Sequence, residues 1–159
     1  TDLRQIISDG FRSDFRLTDI FADLRAEMGD RLEAHGIAFD WDEAEFINWD
    51  QRRVPFLLVN TLRSVLREAT SNIIKHAGAG RVCVTLTQSG DMLEIKITDN
   101  GVGFDASAVV RGEGLNNMTE RATSQGGTVS FSREGGLTGV HLRVPLERSG
   151  AREMVQAAQ

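Results

Sequence analysis

Apolar residues in the first third of the chain recur at three- and four-residue steps: Leu17, Ile20, Phe21, Leu24, Met28 and Leu32, between Arg16 and Ala34. That period predicts the buried face of an amphipathic helix, ended at His35-Gly36. Ile37, Phe39 and Trp41 then alternate, which predicts a short strand before an acidic, aromatic connector from Asp42 to Asp50. A second helix is predicted from about Val54 to His76, with Pro55 in its first turn, where a missing amide hydrogen costs nothing. Its core stripe is Leu58, Leu62, Val65, Ala69 and Ile73.

After Gly78 and Gly80 the period changes to two. Val82, Val84 and Leu86, a turn at Ser89-Gly90-Asp91, and Leu93, Ile95 and Ile97 predict a hairpin. A glycine-punctuated stretch from Asp99 to Gly114 leads into a short helix from about Leu115, with Leu115, Met118 and Ala122 on one face, closed by Gly126-Gly127. Val129 and Phe131, a Gly135-Gly136 turn, and Val140, Leu142 and Val144 predict a second hairpin. This order lacks the steady alternation of a parallel doubly wound sheet. It predicts an α+β domain whose mixed, mostly antiparallel sheet is covered by helices on one face.

A chain of 159 residues, 40% hydrophobic and 26% charged, is sized for one core. Its formal net charge of −5 argues against nucleic acid as a partner, because that affinity comes largely from cations on phosphate. Cys83, the single cysteine, sits in an apolar alternating run and reads as a small buried hydrophobe in a reducing, cytoplasmic setting. No apolar run approaches the roughly 20 residues a bilayer requires. Leu3, Ile6 and Ile7 open the chain in mid-helix pattern, which leads us to expect a piece of a longer protein whose membrane attachment, if any, lies elsewhere.

Three polar clusters carry candidate chemistry. Glu68, Asn72, Lys75 and His76 stand at i, i+4, i+7 and i+8, so an uninterrupted α-helix places them in one strip beside the apolar stripe. Asp99-Asn100-Gly101-Val102-Gly103-Phe104-Asp105 follows a strand directly. Asn-Gly is a hairpin turn signal, yet no alternating partner strand follows at once, whereas Gly101 and Gly103 allow close backbone approach to a ligand and Asp99 offers a fixed acceptor. Gly112-Glu113-Gly114 runs into a helix N-terminus, whose free amides and positive dipole end suit phosphate oxygens. Other motifs fail on spacing: Gly101 breaks an EF-hand loop, Ala106 and Asn117 break a dinucleotide G-x-G-x-x-G, and no P-loop occurs. His35, His76 and His141 are widely separated and lack a nearby cysteine, which disfavours zinc.

Taken in order, these clusters resemble the ATP-binding boxes of the GHKL superfamily, which joins histidine kinases, DNA gyrase B, Hsp90 and MutL. Glu68 to Ala77 is similar to the N box, Asp99 to Asp105 to the G1 box, and Gly112 to Ala122 to the G2 box, in the form G-x-G-L-x-x-M-x-E-R-A of sensor kinases that partner LuxR/NarL-type response regulators. The resemblance covers about residues 14–147 and implies the two-layer α/β sandwich known as the Bergerat fold. It implies that Asp99 accepts a hydrogen bond from the adenine amino group while Gly101, Val102 and Gly103 shape the nucleotide pocket. Asn72 would bind Mg²⁺, and Lys75 and His76 would lie near the phosphates of ATP. Glu68 matches a proposed acid/base position, and Lys75 joins it as a candidate catalytic group. Gly112, Gly114 and Leu115 would close over the triphosphate, and Thr138 would support the adenine pocket, although Leu137 stands where the family often has Gly.

The resemblance also divides the chain. Residues 1–12 look like the end of a dimerisation helix and residues 13–147 like the ATP-binding catalytic domain, while residues 148–159, polar and rich in small residues, read from composition as a loose tail. No His-Asp pair of the kind that marks a phosphoacceptor occurs in this sequence. The expected function is ATP binding for phosphoryl transfer to a His on a dimerisation domain absent from this chain, by a fragment that is itself monomeric and unable to autophosphorylate. Two alternatives share the fold: an anti-sigma-factor serine kinase, against which the G2 form argues, and a non-catalytic module, which need not keep Asp99, Asn72 and both glycine pairs.

Overall fold

A computed structural model describes residues 2–12, 14–43, 52–102 and 113–147. The predicted helices and hairpins are present. In chain order the elements are α1 (Leu3–Phe11), β1 (Phe15–Arg16), α2 (Leu17–Ala34), β2 (Ala38–Asp42), β3 (Arg53–Val54), α3 (Phe56–Asn72), β4 (Arg81–Ser89), β5 (Met92–Asp99), α4 (Glu113–Ser124), β6 (Thr128–Glu134) and β7 (Leu137–Pro145). The six apolar residues that predicted α2 are its buried residues. The predicted α3 stripe is buried from Leu58 through Ile73.

The main sheet has the order β2-β4-β5-β7-β6, with β2 parallel to β4 and the other neighbours antiparallel. Alternation sorts its side chains. Val82, Val84, Leu86, Leu93, Ile95, Ile97, Val140, Leu142 and Val144 face the core shared with α2, α3 and α4, giving the expected one-sided sandwich. The other face is polar, and there Arg143 Nε bonds Glu94 Oε1 at 2.8 Å. Arg67 Nε to Glu27 Oε1, 2.7 Å, and Arg31 to the Ser71 hydroxyl, 2.9 Å, tie α3 to α2.

Cys83 corrects one expectation. It lies between the buried Val82 and Val84, so period two turns it to the opposite, polar face, where it is half-buried with Sγ 3.7 Å from Asp40 Oδ2. Desolvation, then the Asp40 charge, push its thiol pKa up. The sequence pattern also missed a two-stranded antiparallel sheet of β1 and β3, pairing Phe15 with Val54 and Arg16 with Arg53. Two-residue strands are too short to show a period. No described helix is long and apolar enough to cross a membrane.

Candidate functional site

The end of α3 departs from the expected continuous helix. Ile73–Ala77 forms a π-helical turn, closed by Gly78 in the left-handed conformation at φ 59°. A π turn holds more residues than an α turn, so the strip predicted from α spacing runs only as far as Asn72. Glu68 and Asn72 are half-buried, while Lys75 and His76 are exposed. Glu68 also lines a cavity of about 250 Å³ with Ser64, Arg67 and Ser71 of α3 and Asn117, Met118 and Arg121 of α4. Glu68 of the first cluster therefore adjoins the helix into which the third cluster runs.

The second cluster docks on the π turn. A Cβ on Gly101 would stand 2.2 Å from the Ala77 carbonyl oxygen and 2.8 Å from its Cβ, so only glycine allows this approach. The Val102 amide donates to the same carbonyl at 2.8 Å. Asn100, absent from the candidate residues, fixes the loop: its Oδ1 accepts the amides of Gly80 and Arg81, each at 2.9 Å. That polar stapling explains the Asn without a hairpin turn.

Asp99 is only 4% exposed, and its Oδ1 accepts the Gly101 amide at 2.9 Å. Its second oxygen has no hydrogen-bond partner among the described residues. Burial raises the Asp99 pKa above the usual carboxylate value, opposed by the Gly101 amide and by the charge of Arg133. A buried carboxylate with one oxygen held by the chain fits a guest that brings its own hydrogen-bond donor.

Buried Thr138 stands directly across from Asp99 in the β5–β7 register. Across from Thr138 on β6 is Arg133, whose guanidinium donates to the Thr138 hydroxyl oxygen at 2.7 Å and lies 3.5 Å from the Gly101 carbonyl oxygen. Arg133 was not among the candidates. The signal for it was available: Gly135 and Gly136, with φ 56° and 77°, make a two-residue hairpin turn, and counting back from it pairs residue 133 with residue 138. Gly103 and Gly112 lie outside the described residues. Gly114 and Leu115 fall in the first turn of α4, where only the backbone is described.

Residues 58–148 match the family described as histidine kinase-, DNA gyrase B- and HSP90-like ATPase. The chain belongs to this ATPase family. Among relatives, it is 38% identical over 93 residues to the sensor histidine kinase LiaS of Bacillus subtilis, covering 56% of this chain and 26% of LiaS. It is 31% identical over 148 residues to the nitrate/nitrite sensor protein NarQ of Escherichia coli, covering 85% of this chain and 25% of NarQ. The chain thus spans about a quarter of the length of these two relatives. The catalytic domain of histidine kinase ThkA shares the fold, with a TM-score of 0.69 at 14% identity over 85% of this chain and 97% of that one. The expected superfamily and fold are therefore met: this is an ATPase-family domain of the kind carried by sensor histidine kinases.

Proposed function

We propose that the chain is the ATP-binding catalytic portion of a sensor histidine kinase, holding Mg-ATP for phosphoryl transfer to a His on a dimerisation and phosphoacceptor domain elsewhere in its parent. The observation that carries this reading is Asp99: a buried carboxylate at a strand end, with one oxygen free of hydrogen bonds among the described residues, before a loop docked against the π turn that continues the Asn72 helix. Asp99 accepts the adenine amino group and turns guanine away, because guanine places an acceptor oxygen there and leaves two buried acceptors facing each other. Thr138 flanks the base, and Gly101, Val102 and Gly103 are assigned to shaping its pocket.

Asn72, half-buried with a neutral amide oxygen, would hold Mg²⁺, a hard ion suited to oxygen donors that would neutralise phosphate charge. Exposed Lys75 neutralises phosphate charge with His76 near it, and Gly112, Gly114 and Leu115 are the residues we assign to covering the triphosphate. Glu68, half-buried in the α3–α4 cavity, orients or moves a proton. Phosphoryl transfer asks the protein chiefly for such positioning and charge neutralisation. The exposed stripe of Leu3, Ile6 and Ile7 supports reading residues 1–12 as the end of a dimerisation helix, with residues 13–147 as the catalytic domain and 148–159 as a tail. The parent then serves a LuxR/NarL-type response regulator from the cytoplasmic side.

Calorimetric titration with ATP, with and without Mg²⁺, tests the site. Wild type should bind ATP and discriminate against GTP. Asp99→Asn should weaken ATP by about 2 kcal/mol or more, roughly 30-fold in Kd, because a buried hydrogen bond to a charged acceptor is lost. Undiminished affinity in that variant would rule out Asp99 as the adenine acceptor. Incubation with γ-labelled ATP should leave the isolated chain unlabelled.

A further inference from the structure

Arg133 reaches the Asp99 rung from the neighbouring hairpin strand, and none of the three sequence boxes contains it. Its side chain lies on the helix-facing side of β6, in the alternation of Val129 and Phe131, and one guanidinium nitrogen meets the Thr138 hydroxyl oxygen at 2.7 Å. A guanidinium has donors only and keeps its charge at every accessible pH. The direction of that hydrogen bond is therefore fixed: Arg133 donates, Thr138 accepts, and the hydrogen of the Thr138 hydroxyl must point elsewhere. Without Arg133 the hydroxyl could rotate and either give or take a hydrogen bond.

We infer that Arg133 is a positioning residue for purine specificity, which locks the Thr138 hydroxyl as a donor toward the base. The inference rests on the adenine reading of Asp99 and deepens it. Adenine offers an amino donor and, beside it, the N1 acceptor, whereas guanine offers an acceptor oxygen and an N1–H donor. An acceptor at Asp99 paired with a fixed donor at Thr138 complements the first pattern and opposes the second at both atoms. The same guanidinium lies close to the Gly101 carbonyl, so one side chain spans the loop and the strand wall. Its charge also favours the ionised, accepting form of Asp99 against burial.

The test is a double-mutant cycle read by ATP and GTP titration on the chain. Arg133→Met keeps side-chain length and removes the donors, and denaturant melts confirm that each variant is folded. Arg133→Met is expected to weaken ATP about 10-fold, the size of one hydrogen bond to a charged donor, and to narrow the ATP/GTP ratio. In a Thr138→Val background the same change should add little, because the hydroxyl it orients is gone. Arg133→Lys should recover part of both effects. Wild type that binds no ATP would sink the nucleotide reading itself. Wild type that binds ATP, with Arg133→Met matching it in affinity and selectivity, or losing the same factor in both Thr138 backgrounds, would overturn this inference alone.

Discussion

Along β5 and β7, four successive cross-strand pairs face the helices: Leu93–Val144, Ile95–Leu142, Ile97–Val140 and Asp99–Thr138. β6 extends the last three with Val129, Phe131 and Arg133. All eight residues on β5 and β7 are buried, so geometry does not separate these pairs; chemistry does. The first three are hydrocarbon and anchor the sandwich through area removed from water. The fourth places a buried carboxylate and hydroxyl at the end of the same row, with the exposed Arg133 beside them on β6. A buried ionisable group lowers stability unless it is partnered, and among the described residues the Gly101 amide is the one hydrogen-bond donor to Asp99. The sheet thus builds a scaffold over three pairs and a recognition surface on the fourth.

Substitutions in the apolar pairs should separate the two halves of this contrast most sharply. Ile95→Ala, at a fully buried position, is expected to cost about 2–5 kcal/mol of unfolding free energy by urea titration, because the cavity left behind collapses only in part. The ATP affinity of the molecules that remain folded should be unchanged. A variant as stable as wild type would show that the three apolar pairs are not the scaffold. Gly101→Ala sits at the boundary, since its Cβ would meet backbone of the π turn at 2.2 Å. Overpacking of this kind costs about 1–3 kcal/mol. Here the chain can relieve the clash by moving the loop off Ala77, so nucleotide affinity should fall along with stability. Loss of stability with full ATP affinity would mean that the docking of loop on helix does not shape the site.

The scaffold was the more legible half. Every apolar position that predicted α2 and the first hairpin is buried, because burial imposes a period of 3.6 or 2 that runs unbroken along each element. Of the candidate site, the loop after β5 was legible as residue types in order, since Gly101 and Val102 meet the π turn that carries Lys75 and His76. What periodicity could not show was the turn itself: nothing in Ile73-Ile74-Lys75-His76-Ala77 breaks an α pattern, and the widening accompanies a contact with Gly101 and Val102, far along the chain. Cys83 was misplaced for the opposite reason, a residue type outweighing the alternation around it. Arg133 was hidden differently again, since its role appears only when the Gly135-Gly136 turn is used to count register across the hairpin.

The smallest expected effect concerns stability at the polar pair, and its sign distinguishes a functional carboxylate from a structural one. Burial raises the Asp99 pKa in the folded chain, so between the ordinary carboxylate value near 4 and that raised value the folded state holds a proton that the unfolded state has lost. The contribution of Asp99 to stability is therefore fully present below the unfolded value and is lost as pH rises through the folded one. In Asp99→Asn the amide oxygen can still accept the Gly101 hydrogen, and no charge develops in the interior. Urea melts from acid to neutral pH should show variant and wild type converging at the acid end, with the variant gaining relative stability as pH rises through the window and holding that gain to neutrality. An advantage for wild type that grows with pH would mean that the ionised carboxylate is held by interactions of the fold itself, with Arg133 outweighing burial, and the fourth pair would then belong to the scaffold with the other three.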